Sequence, residues 1–182
     1  MRERSDEQLM KSYAGGNMEA FELLYQRYRA PLYRYLLRLA GDPATANDLY
    51  QGTWEKVIKA RTRYKPKAPF RAWLYRIAHN HAMDLFRRSK PISDEVPEEL
   101  ASPAAEPDEQ LAGESRQQDL QMAIQELPPE QRDTVMLKLE SGLDLKTIAE
   151  ITDVNPETAK SRLRYAVKRL KQSLGDRNLP AG

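Results

Sequence analysis

Apolar side chains recur at helical spacing along most of this chain. Phe21, Leu24, Tyr25, Tyr28, Leu32, Leu36 and Leu39 follow the i, i+3, i+4 rhythm of one buried helix face. Pro31 falls inside that run. Proline has no backbone N–H to donate within a helix, so a kink or restart is expected there. Gly41-Asp42-Pro43 ends the run. A second period passes through Ala46, Leu49, Tyr50, Thr53, Trp54, Val57 and Ile58. After a break from Tyr64 to Pro69, a third takes in Phe70, Trp73, Leu74, Ile77, Ala78, His81 and Leu85. Nothing alternates with period two, so no strand is predicted and the first half reads as a helical bundle.

The second half is helical too, with shorter elements. Leu120, Ala123, Ile124 and Leu127 mark one helix, stopped by Pro128-Pro129. Residues 130–140 form another, ended by Ser141-Gly142. Asp144–Thr152 follows, then Asp153-Val154-Asn155 and a long helix opening at Pro156. Asn155 suits the N-cap and Pro156 the first helical position. Two helices joined by a three-residue turn predict a helix-turn-helix. In the last helix Ala159, Leu163, Ala166, Val167 and Leu170 share one narrow face. Thr158, Ser161, Arg164, Tyr165 and Lys168 lie opposite, flanked by Lys160 and Arg162. After Glu157 that helix has no acid until Asp176. A recognition helix meets base edges with its first two turns, which makes Thr158, Lys160, Ser161, Arg164 and Tyr165 the expected readers. Lys168, Arg169 and Lys171 lie further along, against phosphate or only solvent.

Composition narrows the class. The chain has 182 residues, 31% of them charged, with 8 glycines and no cysteine. Disulfide scaffolds and thiolate metal sites are therefore excluded. MRERSDEQLM carries acids and lacks the apolar centre of a secretion signal, and no apolar run approaches a membrane span. A soluble, cytoplasmic protein without membrane insertion is expected. The net charge of +2 hides a segregated pattern. Arg61–Lys90 has nine bases and one acid, Asp84, whereas Pro91–Ser115 has eight acids, four prolines and no base. That second stretch reads as a flexible acidic linker, dividing the chain into residues 1–90, 91–115 and 116–176. It is either a solvated tether or an imitation of a nucleic-acid backbone.

The basic stretch RTRYKPKAPFRAWLYRIAHNHAMDLFRR interleaves bases with aromatics. Arg and Lys neutralise phosphates, and aromatic faces stack on exposed bases. Phe70, Trp73 and Leu74 fit a core. Tyr64, in the basic loop, and Tyr75, off the main apolar stripe, are candidates for base contact. His79 and His81 project in different directions from a helix and cannot share a metal, so His81 reads as a core or boundary residue. No Gly-rich phosphate loop, metal-ligand spacing or nucleophile–base pattern appears. Neither a cofactor nor enzymatic chemistry is expected.

AFELLYQRYRAPLYRYLLRLAGDPATANDLYQGTWEKVIKA resembles region two of bacterial sigma factors, and FRAWLYRIAHNHAMDLFRR its promoter-melting end. ELPPEQRDTVMLKLESGLDLKTIAEITDVNPETAKSRLRYAVKRL resembles sigma region four. Having these two regions without a middle domain is similar to the extracytoplasmic-function group. The resemblance spans all but the first and last few residues. It implies an all-α fold of two small helical domains, a region 2 bundle and a region 4 helix-turn-helix, joined by the acidic linker. It further implies that Asp48, Gln51 and Trp54 bind bacterial core RNA polymerase. By the same resemblance, Arg63, Tyr64, Lys65, Lys67, Arg71, Tyr75, Arg76 and Asn80 hold the melted −10 element. Promoter DNA would be read at the −35 element by Thr158, Lys160, Ser161, Arg162, Arg164, Tyr165 and Lys168. The linker would thread the polymerase channel as a nucleic-acid mimic, and an anti-sigma factor is an implied partner.

Three departures from the family pattern stand out. ATANDLYQGTW supplies only Asp48 where several carboxylates are usual, with Gly52 where Glu is common. This points to weaker polymerase binding, or to dependence on another partner or on modification of Thr45 or Thr53. The loop YKPKAPF carries prolines in place of glycine and acids. Arg164 and Tyr165 exchange the usual order of aromatic and base. The rival reading is a stand-alone helix-turn-helix regulator with a helical sensor domain, which leaves the aromatic-basic loop and the acidic linker without a role.

Overall fold

The computed structural model describes residues 3–89 and 112–178. Most of the acidic segment lies outside them, although its end, from Ala112, already belongs to a helix. Ser5 opens α1 (Asp6–Ala14), a helix absent from the apolar periods above. Its signal is a capping box: Ser5 Oγ accepts from the Gln8 N–H at 3.2 Å, and Gln8 Oε1 accepts from the Ser5 N–H at 3.0 Å. α1 buries Leu9, Met10 and Tyr13.

α2 (Met18–Ala40) runs unbroken through Pro31, so the helix does not restart there. An interior proline costs about 3 kcal/mol. The buried stripe Leu24, Tyr28, Leu32, Tyr35, Leu36 and Leu39 spans both sides of it. Each such side chain contributes roughly 1.5–3 kcal/mol on burial, so packing outweighs the lost hydrogen bond. Gly41, at φ 87°, closes the helix in the left-handed conformation. The Asp42 carboxylate accepts from the Thr45 N–H at 2.8 Å and caps α3 (Pro43–Ala60). A 3₁₀ turn, Arg61–Arg63, and a loop lead into α4 (Phe70–Ser89).

The second half is built from α5 (Ala112–Glu126), α6 (Pro129–Met136), a π-helical turn (Leu137–Ser141), α7 (Leu145–Thr152) and α8 (Pro156–Asn178). No strand occurs among the described residues, and the fold is all-α. The halves pack against each other. α2 lies along α5, α6 and the π-helical turn, and α4 along α7. α4 is therefore buried on two faces.

Asp144 caps α7 by accepting from the Thr147 N–H at 2.8 Å. Hydrogen bonds from the Thr147 side chain and backbone hold its carboxyl below the usual carboxylate range. A depressed folded-state pKa adds stability above the unfolded value, and that stability is lost as pH falls through the folded one. Asp144→Asn, which caps without ionising, is expected to lessen the fall in melting temperature between neutral pH and about pH 3. Thermal melts followed by circular dichroism at the two pH values measure this; an unchanged fall would remove Asp144 from the acid response.

Candidate nucleic-acid and polymerase interface

The helix-turn-helix forms because both its helices are anchored from one side. α7 buries Ile148, Ala149 and Ile151, while α8 buries Ala159, Ala166 and Leu170. Asp153, at φ 57°, turns the chain between them, and Asn155 Oδ1 accepts from the Thr158 N–H at 2.8 Å. α8 thereby exposes Lys160, Arg164, Tyr165 and Lys168, with Thr158, Ser161 and Arg162 half-buried. The Arg164 guanidinium lies 5.3 Å from the centre of the Tyr165 ring. Val167, placed on the apolar face by the sequence, is exposed instead.

A second basic surface surrounds the start of α4. Arg63, Lys65, Lys67, Arg71, Arg76 and Asn80 are all exposed. The two tyrosines expected among them are not. Tyr64 is 8% exposed; its hydroxyl donates to the Ala68 carbonyl at 2.6 Å, and its ring packs on Phe70 and Trp73. Burial, with Glu7 and Asp6 nearby, pushes its phenol up to about 12. It closes the loop from inside rather than meeting bases. Tyr75 is 1% exposed, packed edge-on against Tyr35, and burial raises its pKa. Tyr75 and His79 are off the apolar stripe because they face the second half of the molecule, a contact that one-face periodicity does not register. His81 is a boundary residue as expected, with its pKa lowered by burial and Lys56.

The structure adds two cations to this surface. Lys56 and Lys59 of α3 join Arg63, Asn80, His81 and Asp84 around a hollow of about 460 Å³. Their side of α3 is the polar one, which the apolar period leaves unread. On the same helix Asp48 and Gln51 are exposed, but Trp54 is 5% exposed. Its ring sits among Phe21, Tyr25 and Tyr50, with centroids 5.8, 5.1 and 6.3 Å away. Trp54 is thus core here, not an exposed contact. Thr53 is wholly buried and donates its hydroxyl to the Leu49 carbonyl at 2.7 Å, so it is unsuited to modification, while Thr45 is half-buried. Gly52 has a steric reason: a Cβ there would stand 2.2 Å from His81 Nε2, where α3 and α4 approach.

Among the described residues no group of His, Asp and Glu could hold a metal ion, and no helix is long and apolar enough to cross a membrane. Comparison with known proteins matches two stretches of the chain to family models. The Sigma-70 region 2 family model matches residues 24–92, and the Sigma-70, region 4 model matches residues 117–170. The RNA polymerase sigma factor CarQ of Myxococcus xanthus is 32% identical over 93% of this chain and 98% of its own length. The ECF RNA polymerase sigma factor SigE of Mycolicibacterium smegmatis is 34% identical over 86% of this chain and 62% of its own. A solved structure of the sigma factor RpoE, in complex with the anti-sigma factor NepR from Bartonella quintana, has the same fold. Its TM-score is 0.66 at 22% identity, covering 85% of this chain and 96% of that one. The chain belongs to the sigma-70 family, in its extracytoplasmic-function group, and is a sigma factor that directs transcription initiation.

Proposed function

We propose that this sigma factor joins core RNA polymerase through the exposed Asp48 and Gln51 of α3. It holds the melted −10 strand on Arg63, Lys65, Lys67, Arg71, Arg76 and Asn80. The −35 element is read in the major groove by Thr158, Lys160, Ser161, Arg164 and Tyr165, with Arg162 and Lys168 at phosphates. The observation that carries this reading is the exposed α8 face, which has no acid between Thr158 and Gly175. Such a face neutralises phosphate and offers donors to base edges. The protein acts by binding, without covalent chemistry, in the cytoplasm. An anti-sigma factor is a further proposed partner, supported by the family and by the complex with NepR formed by a protein of the same fold.

Gel filtration with bacterial core polymerase, followed by run-off transcription of promoter fragments, tests the reading. Co-elution with promoter-specific transcripts is expected. Tight binding to duplex DNA without polymerase binding would indicate a stand-alone regulator instead. The −10 surface has its own test. Arg76→Ala with Asn80→Ala is expected to slow open-complex formation by roughly tenfold or more, the scale of one or two base contacts. The defect should disappear on a template already melted at −10. If it persists there, these residues serve polymerase binding and not strand capture.

A further inference from the structure

α4 begins without a cap of its own. Its first residue is Phe70, and the Pro69 carbonyl just before it accepts from the Trp73 N–H at 3.1 Å, which makes Pro69 the N-cap. Proline has no side-chain acceptor, so the first N–H groups of the helix lack a local partner. A residue distant in sequence supplies one. Glu7 Oε1, on α1, accepts from the Phe70 N–H at 2.9 Å. A carboxylate at that end also meets the positive pole of the helix dipole. Asp6, just before Glu7, supports the next residue of α4 indirectly. Its carboxylate accepts from the Tyr28 hydroxyl and, at 2.8 Å, from Arg27 Nη1, while the Arg71 guanidinium lies 6.0 Å from the centre of the Tyr28 ring. Tyr13, near the end of α1, carries the Arg61 guanidinium in the same way at 5.8 Å.

These contacts bracket one loop. Residues 64–69 are tied within by the Tyr64 hydroxyl, which donates to the Ala68 carbonyl at 2.6 Å, and at their far end by Glu7. Lys65 and Lys67 stand exposed on the loop, with exposed Arg63 and Arg71 on either side. Glu7 itself is half-buried. By charge alone, an acid beside a strand-binding loop opposes phosphate. Its use here is positional: a loop already held in shape gives up less freedom when it binds. The region 2 match begins at residue 24, so α1 lies outside it.

Resting on the sigma-factor reading, we propose that α1 presets the −10 surface, with Glu7 as its principal positioning residue. Glu7 touches no DNA. It fixes where α4 starts, and so where Lys65, Lys67 and Arg71 stand when the melted strand arrives. The role belongs to the acceptor oxygen more than to the charge, and this gives the two explanations opposite signs. If only the charge of Glu7 mattered, removing it would tighten strand binding. If Glu7 positions the loop, withdrawing its acceptor weakens that binding.

Glu7→Gln keeps an acceptor at the same reach and drops the charge. Glu7→Asp keeps the charge, suits the first turn of α1, and withdraws the acceptor by one methylene. It therefore tests the proposal even if Glu7→Ala destabilises the fold. Amide hydrogen exchange on the full chain, read at Phe70, should quicken roughly tenfold or more in the Ala and Asp variants, the scale of one hydrogen bond to a charged group. Glu7→Gln should stay nearer the parent than either. The second readout is the affinity of the polymerase complex for labelled single strands spanning the −10 region of promoters that the parent transcribes. It should fall about fivefold or more for Ala and Asp, the equilibrium worth of one helix cap, and least for Gln. Melting temperature and polymerase co-elution, measured beside it, keep lost folded protein from being counted as lost strand binding. Phe70 exchange unmoved in both the Ala and Asp variants, or a Gln variant as loose as Ala, would overturn the proposal. So would faster exchange with unchanged strand affinity, which would leave Glu7 a stabilising residue only. If the unchanged chain does not bind polymerase, the sigma-factor reading fails, and Phe70 exchange alone then decides whether α1 holds the loop.

Discussion

Replacing Lys160 and Ser161 together with alanine is expected to lower initiation at −35-dependent promoters by roughly 10- to 100-fold, the range set by losing one or two base-edge contacts. Retention by core polymerase should be unchanged. Lys160 is exposed and Ser161 half-buried, and both lie in the first two turns of α8, where a recognition helix meets the groove. A lysine there can donate to guanine O6 and N7. Alanine is the best helix former, and neither side chain belongs to the buried anchor of Ala159, Ala166 and Leu170, so the fold should survive intact. Lys168 provides the contrast. Its loss removes at most one phosphate contact, which weakens binding alike on all sequences and flattens the salt dependence by about one charge. Run-off transcription on promoters with matched and scrambled −35 elements, read beside polymerase co-elution, separates the cases. An equal fall in transcription and polymerase retention would move Lys160 and Ser161 out of the −35 site.

The contrast between α8 and α4 explains how far the sequence could be read. α8 is anchored along one face, so a single apolar stripe and a single basic face account for nearly all of it. Asn155 caps the helix and Pro156 opens it, as the pattern predicts. α4 is packed on two sides by elements distant in sequence. Periodicity finds Phe70, Leu74 and Ala78, but Tyr75 and His79 look like surface residues because their partners, Tyr35, Asp133 and Glu140, lie in α2 and the second half. Tyr64 misleads for another reason: a tyrosine among bases looks available for stacking, yet its hydroxyl closes its own loop on Ala68. Pro31 shows local preference overruled by burial on both sides of it. Gly52 runs the other way, since its departure from the family pattern has no local explanation and a clear tertiary one in the proximity of His81.

Trp54→Ala should cost roughly 3–5 kcal/mol of stability, the usual penalty for emptying a large aromatic site. Domains of this kind have about 5–15 kcal/mol in total, so a substantial loss of folded protein near physiological temperature is expected. The reason is packing. Trp54 is 5% exposed and lies among Phe21, Tyr25 and Tyr50, whose aromatic pairing adds to the burial. Trp54→Phe, which keeps an aromatic ring among these neighbours, should be milder than alanine. Asp48→Ala and Gln51→Ala are the controls on the same helix. Both residues are exposed, and their loss should weaken polymerase retention while leaving the melting temperature nearly unchanged. Thermal melts beside co-elution with core polymerase distinguish two routes to one phenotype. Trp54→Ala would fail to bind because region 2 has lost its core, and lowering the temperature would restore binding along with helicity. A Trp54→Ala protein that melts like the parent and still fails to bind would make Trp54 a contact after all. Its place in the aromatic cluster would then describe only the chain off polymerase.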